Sequence, residues 1–103
     1  MAKFTVRVEL HSASYSDYET LHSAMERRGF TRRITSSDGQ IYHLPTAEYD
    51  RSGYLTSRDV LDSAKAAAAG TRKSFAVLVT ETVNRVWFGL NEVNAQPQFA
   101  QSR

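Results

Sequence analysis

Side chains that can move protons or hold a phosphate recur at alternate positions near the N-terminus. Arg7, Glu9 and His11 stand two residues apart, and His43 lies in a second short alternating segment. Histidine can act as a general acid or base near pH 7, and an arginine guanidinium can stabilise charge on a pentacoordinate phosphate. With the 2′-hydroxyl of RNA as internal nucleophile, such a set cleaves a phosphodiester without a metal. Arg7, His11 and His43 are therefore the candidate catalytic residues, and neither a metal site nor another cofactor is expected.

A structural interpretation of these residues stands beside the catalytic one. An arginine–glutamate pair across neighbouring strands stabilises many solvated sheets, and the two histidines would then be ordinary surface residues. The sequence contains no phosphate-binding glycine loop, no nucleophile elbow and no histidine spacing typical of a metal site. The residue types alone therefore leave enzymatic activity undecided.

A cluster of arginines points to an anionic partner. Residues 27–37 contain four arginines and no acidic residue. Guanidinium groups match the geometry of phosphate better than ammonium groups do, so Arg28 and Arg33 are expected to contact single-stranded RNA. Tyrosines can stack on unpaired bases, and Tyr49 and Tyr54 are the two expected at the surface. Tyr49 therefore joins the candidate RNA-binding residues.

The pattern of apolar residues in the first half predicts a strand, a helix and a hairpin. A period of two over residues 4–10 is typical of a half-buried strand. Residues 17–28 carry apolar side chains at helical spacing, and Gly29 is expected to end that helix. Asp38–Gly39 is a strong turn signal, which predicts two antiparallel strands within residues 30–44.

The second half predicts a further helix and strand. Pro45 is expected to interrupt the preceding strand, which can resume at residues 47–49. Thr56–Asp59 resembles a capping box, and Gly70 is expected to end the helix that follows. Residues 74–80 are almost continuously apolar, so they are predicted to form the most buried strand, with both faces covered.

This order of elements, β-α-β-β-α-β, predicts an α+β protein with a ferredoxin-like sandwich. Both helices would lie on one face of an antiparallel sheet, and residues 86–88 would add a short C-terminal β-hairpin extension. The first and third strands are neighbours in this topology, so the candidate catalytic residues are expected to meet on the open face. One domain is predicted over residues 1–92, followed by a disordered tail over 93–103.

The composition excludes several classes of protein. A chain of 103 residues, with 41% hydrophobic and 23% charged residues, suits one globular domain. The absence of cysteine excludes disulfides, thiolate metal sites and cysteine nucleophiles. No apolar run approaches the roughly 18 to 20 residues that span a bilayer, and no signal peptide is visible. A cytoplasmic protein without membrane contact is therefore expected.

The open face of the predicted sheet is also partly apolar, which supports an alternative function. Ile41, Ala76 and Leu78 would be exposed there in a monomer. An apolar patch rimmed by charge often marks an association surface. The alternative is therefore a non-catalytic, ferredoxin-like binding module that forms a homodimer through this sheet face.

Several segments together resemble a known family. They are FTVRVEL at 4–10, DYETLHSAMERRGF at 17–30, ITSSDGQIYHLPTAEY at 34–49, KSFAVLVTE at 73–81 and WFGL at 87–90. Through them the chain resembles, over about residues 3 to 92, the GhoS-type endoribonuclease antitoxins of type V toxin–antitoxin systems. The resemblance implies a bacterial, cytoplasmic hydrolase with a ferredoxin-like fold that binds a toxin messenger RNA and cleaves it.

The family is also similar to the small CRISPR-associated nucleases of spacer acquisition, and one departure from them bears on mechanism. Those nucleases carry an acidic metal ligand at the end of the first strand. This chain has His11–Ser12 at that position. RNA cleavage without a metal is therefore the expected activity.

Overall fold

A computed structural model describes residues 1–93 of the chain. Within them, five strands and two helices follow in the order β1-α1-β2-β3-β4-α2-β5. Their bounds are β1 Ala2–Leu10, α1 Tyr15–Arg27, β2 Arg33–Thr35, β3 Ile41–His43, β4 Glu48–Gly53, α2 Ser57–Ala69 and β5 Phe75–Glu81. None of the helices in this part of the chain is long and apolar enough to cross a membrane. The tail predicted over 93–103 lies outside the described residues, except for Val93.

β1 is the central strand of the main sheet. It pairs antiparallel with β4 on one side and with β5 on the other. Its alternating sequence buries Phe4, Val6 and Val8 completely on one face, while Arg7 and Glu9 are exposed on the other. The strand predicted over residues 4–10 is therefore confirmed, together with the two faces that its alternation implied.

Both helices cover the inward face of this sheet. Each begins with a capping box, in which Ser14 and Asp17 of α1, and Thr56 and Asp59 of α2, exchange hydrogen bonds between side chain and backbone. The buried core that joins the helices to the sheet consists of Phe4, Val6, Val8, Leu10, Leu21, Met25, Phe30, Tyr49, Val60, Ala64, Ala67 and Ala68. The fold is thus the predicted α+β, ferredoxin-like sandwich, with the helices on one face.

β2 and β3 form a separate two-stranded hairpin around the predicted Asp38–Gly39 turn. Gly39 has a φ of +91°, a conformation that glycine adopts without steric cost. One bridge, between Thr31 and Asp50, joins the start of this hairpin to β4. The hairpin therefore extends the main sheet beyond β4, on the side away from β5.

An interruption between β3 and β4 changes the predicted pairing of the sheet. Pro45 has no N–H to donate, and Ala47 has a φ of +71°, so the backbone cannot continue as a regular strand. As a result β1 pairs with residues 48–53, and the prediction that it neighbours residues 40–44 is wrong. This pairing places Tyr49 opposite Val6, inside the core.

β5 is an edge strand, and the prediction that it is the most buried strand is wrong. Val77 and Val79 point towards the helices and are half-buried, whereas Leu78, between them, is 64% exposed. The helices cover one face of β5, while its other face is open. The strand is apolar throughout because its open face carries Ala76 and Leu78, where polar residues are usual, and not because both of its faces are buried.

Residues 82–93 do not form the predicted β-hairpin extension, and residues 86–88 are not a strand. The segment runs over the open face of the sheet from β5 to β3, and we call it the crossing segment. Its contacts along this path are those of Thr82 with Lys3, Arg85 with Asp50, Trp87 with Tyr42, Asn91 with His43 and Val93 with Ile41. These contacts hold the crossing segment along its path from the edge strand β5 to β3.

Candidate nucleic-acid interface

Arg33 and His43 lie opposite one another on the β2–β3 hairpin, and both are exposed. Residues opposite in an antiparallel pair project from the same face, with Cβ atoms about 4.5–5.5 Å apart. The turn that sets this register is held by the Ser36 N–H, which donates to the Gln40 carbonyl at 2.8 Å. Hydrogen bonds from the Ser36 hydroxyl and the Gln40 N–H lower the pKa of Asp38 in the same turn. A guanidinium and an imidazole therefore stand side by side on a well-defined hairpin.

Arg33 and His43 both line a surface depression of about 490 Å³. Its full lining is Glu26, Thr31, Arg32, Arg33, His43 and Leu44. Glu26 comes from the last turns of α1, so the helix supplies a carboxylate to a site otherwise built by the hairpin. A carboxylate, an imidazole and two guanidiniums thus share one depression, and such groups can transfer protons and stabilise the charge of a phosphate.

Arg33 also lines a larger groove of about 980 Å³ between the hairpin, β4 and the crossing segment. Arg85 lies in this groove and pairs with Asp50 at 2.7 Å. Lys3 and Arg33 form no salt bridge within residues 1–93. The groove therefore offers two unpaired cations, although the Asp38 carboxylate also lines it. Cations spaced along a groove suit the backbone of a nucleic acid.

The crossing segment adds aromatic side chains beside these cations. Trp87 lines the groove and packs edge-on against Tyr42, with ring centroids 5.4 Å apart. Phe88, the next residue, is fully exposed. Unpaired bases stack on exposed aromatic rings irrespective of sequence, so a flexible single strand suits this surface better than a rigid duplex.

The three predicted catalytic residues do not meet on the open face. The Arg7 guanidinium lies 3.3 Å from the Glu48 carboxylate. Nε2 of His11, at the end of β1, lies 3.9 Å from the Glu9 carboxylate. His43 belongs to the hairpin, and β4 separates the hairpin from β1. Because residues 40–44 do not pair with β1, the expected cluster of Arg7, His11 and His43 is not assembled.

The predicted RNA-binding residues are also divided. Arg33 lies at the depression and the groove, as described above. Arg28 instead extends along the helical layer, where its guanidinium lies 3.5 Å from the Ser63 hydroxyl of α2. Tyr49 has no exposed surface, so its prediction as a base-stacking residue is wrong. The interruption at Pro45 shifts Tyr49 onto the inward face of β4, which is why a residue in a polar stretch became part of the core.

Sequence reasoning missed Glu26 and Lys3. Glu26 occupies an exposed position of α1 and Lys3 alternates with the buried residues of β1, so each resembles an ordinary solvated residue. The only sequence signal for Glu26 was its position directly before the arginine-rich segment. Its place in the depression depends on where the end of α1 meets the hairpin, which the sequence pattern does not specify.

A buried polar pair lies beneath the site. Nδ1 of His22 and the Tyr49 hydroxyl are 2.6 Å apart, in the layer between α1 and β4. Burial, followed by the nearby Arg32 charge, lowers the pKa of His22, and burial raises the pKa of Tyr49. Both groups are therefore neutral at pH 7, and their hydrogen bond is an internal connection between helix and sheet.

Lowering the pH from 7 to about 5 should destabilise the protein through His22. Its folded-state pKa lies below the usual value of 6.5, so the unfolded chain takes up this proton more readily. The free energy of unfolding should therefore fall as the pH drops below about 6.5 and continue falling until the folded-state pKa is reached. Urea denaturation at pH 7 and pH 5 measures the difference.

The matched variant for this measurement is His22→Gln, which removes the titrating group. It should be less stable than the wild type at pH 7 yet lose less stability between pH 7 and pH 5. The capping carboxylates Asp17 and Asp59 have lowered pKa values, so they titrate below this window. An equal loss of stability in both proteins would contradict a neutral, buried His22.

No known protein family matches this chain, and no curated protein is significantly similar to it. Within residues 1–93, the histidine, aspartate and glutamate side chains form no group of three that could hold a metal ion. The candidate interface is therefore defined by its own geometry, in which Arg33 connects a depression carrying acid–base groups to a cationic groove.

Proposed function

We propose that this protein is an endoribonuclease that binds single-stranded RNA and, like the GhoS-type antitoxins it resembles, acts on a toxin messenger RNA. The observation that carries the proposal is the pairing of Arg33 with His43, exposed on one hairpin and sharing a depression with Glu26. Together these side chains supply a proton acceptor, a proton donor and the positive charge that RNA cleavage uses. The resemblance over residues 3–92 supports the same class of activity.

The chemistry follows from the roles that these side chains suit at neutral pH. The Glu26 carboxylate accepts the proton of an RNA 2′-hydroxyl, whose oxygen attacks the adjacent phosphorus. The bond from phosphorus to the 5′-oxygen breaks, and His43, as the general acid, donates a proton to that oxygen. Arg32 and Arg33 stabilise the charge on the non-bridging oxygens. The products are a 2′,3′-cyclic phosphate and a free 5′-hydroxyl.

The groove supplies the binding energy for this reaction. Lys3 and Arg33 contact separate phosphates of the bound strand, and Phe88 offers a ring on which a base can stack. Since none of these groups reads a base edge by paired hydrogen bonds, affinity should depend weakly on sequence. Arg33 takes part in both binding and cleavage because it lines both cavities.

Replacing Arg33 with alanine should weaken RNA binding by roughly tenfold for all sequences alike. Loss of one phosphate contact should also reduce the slope of log affinity against log salt by about 0.7. Fluorescence anisotropy with a labelled, 2′-O-methylated single strand, which cannot be cleaved by this route, measures both quantities at two salt concentrations.

The matched control is Arg58→Ala, which removes an exposed arginine from α2, on the helical side of the sheet. It should leave affinity and salt dependence close to the wild-type values. Absence of wild-type binding at low salt would contradict RNA binding altogether. Wild-type binding that Arg33→Ala leaves unchanged would contradict this location of the site.

A further inference from the structure

β5 leaves one edge of the main sheet without a partner strand in residues 1–93. The Thr82 N–H donates to the Lys3 carbonyl, and the His11 N–H donates to the Ser74 carbonyl. Even-numbered residues of the β5 region therefore direct their backbone groups towards β1. Because backbone groups alternate in direction along a strand, the odd-numbered residues of β5 direct their N–H and C=O groups outwards.

Within residues 1–93, the central part of this edge lacks the features that usually prevent strands from pairing. Residues 75–80, FAVLVT, contain no charge and no proline, and their pairing with β1 is continuous and without a bulge. Natural proteins normally protect exposed edges with lysine, proline, bulges or a covering segment. Leu78, in the middle of this strand, is 64% exposed on the open face. The edge is therefore suited to receive another strand.

We propose that two copies of this chain associate by antiparallel pairing of their β5 strands, with Val77 on the two-fold axis. A residue whose backbone N–H and C=O groups point outwards must lie opposite a partner residue with the same orientation. Odd-numbered positions therefore pair with odd-numbered positions. Charge selects the antiparallel direction and the register, because Glu81 then lies opposite the partner's Lys73. Lys73 lies 3.7 Å from Asp17 in its own chain, a surface pair weak enough for the ammonium group to be shared.

The side chains are complementary in this register. On the open face Leu78 lies opposite the partner's Ala76, so a large and a small apolar residue alternate across the axis. On the helix side Val77 meets its own copy, and Phe75 lies opposite the partner's Val79. Such aromatic and β-branched pairs stabilise adjoining strands. The homodimer so formed joins sheets at their edges, unlike the face-to-face association that the sequence suggested.

Sedimentation equilibrium over a concentration series tests the association. A seven-residue strand edge buries much less than a standard interface of about 1,600 Å², so the wild type should dimerise in roughly the micromolar range. Leu78→Lys places two positive charges near the axis and should weaken the dimer by at least roughly tenfold. The control is Tyr54→Lys, at a residue that is 88% exposed on another part of the surface. It should leave the dissociation constant of the dimer close to the wild-type value.

Two results would overturn the edge-paired dimer. One is a wild type that stays monomeric up to roughly 1 mM. The other is a dimer whose dissociation constant is the same in Leu78→Lys as in the wild type. Circular dichroism melting of each variant verifies that the lysine has not unfolded the chain.

Disulfide trapping tests the register, because the natural chain has no cysteine. Opposed residues at such non-hydrogen-bonded positions have Cα atoms about 4.5 Å apart, within the range that a disulfide spans. Ala76→Cys and Leu78→Cys proteins, made with different masses and mixed under mild oxidation, should form the mixed dimer faster than either forms a homodimer. Absence of the mixed dimer, or faster homodimer formation by Leu78→Cys, would overturn pairing about Val77.

Discussion

Phe4→Ala should lower the free energy of unfolding by about 3–5 kcal/mol, the largest stability effect expected of a single substitution here. Phe4 has no exposed surface and lies on the central strand, packed in the core under both helices. Removing the ring loses its burial and leaves a cavity that neighbours on a paired strand cannot collapse to fill. Since domains of this size are stable by only about 5–15 kcal/mol, the variant should unfold at a much lower urea concentration.

Phe88→Ala is the matched control, because Phe88 is the same residue type with its whole side chain exposed. Its free energy of unfolding should differ from that of the wild type by less than about 0.5 kcal/mol. Comparable losses for the two variants would show that the core does not lie between the helices and β1. Urea denaturation followed by circular dichroism gives both values.

His43→Ala should slow RNA cleavage by about 10² to 10⁴-fold, the usual range for loss of a general acid. Binding of the uncleavable strand should change little, because in the proposed mechanism His43 moves a proton and Arg33 holds the phosphate. Glu26→Gln should slow cleavage to a similar degree. In the double variant, the loss of cleavage rate should be smaller than the product of the two single losses, because the effects of residues that act as one unit are not additive.

His11→Ala separates this site from the one that the sequence suggested. His11 is exposed at the end of β1 and contacts Glu9, so its removal should leave the cleavage rate near the wild-type value. A slow His11→Ala variant together with an active His43→Ala variant would place the chemistry on β1 and contradict the hairpin site. Equal melting temperatures of the variants are the control for folding.

The elements of the fold follow closely from local sequence patterns. The alternation over residues 4–10, the capping box of α2 and the Asp38–Gly39 turn each act within a few residues, and each formed as predicted. The turn also brought the strands around Ile34 and Ile41 together, as an Asp–Gly hairpin requires. Capping, alternation and turn geometry are decided by neighbours in the chain, so they can be predicted from it.

The position of the candidate site did not follow in this way. Pro45 was recognised as an interruption, but where the strand resumed determined whether Tyr49 was exposed and whether His43 lay beside β1. A shift of one residue in a strand exchanges its two faces. The wrong pairing of β1 therefore made the predicted positions of both Tyr49 and His43 wrong. Arg33 is exposed, and its position depends on the hairpin alone.

The sequence by itself determined the α+β sandwich, the inward face of β1 and the hairpin that presents Arg33. Only the tertiary structure decided that Glu26 shares a depression with His43, that the crossing segment lies over the open face, and that β5 is an edge. These outcomes depend on contacts between residues far apart in the chain, such as Arg85 with Asp50. Periodicity shows which face of an element is apolar. Whether that face is covered, and by which neighbour, depends on how the whole chain packs.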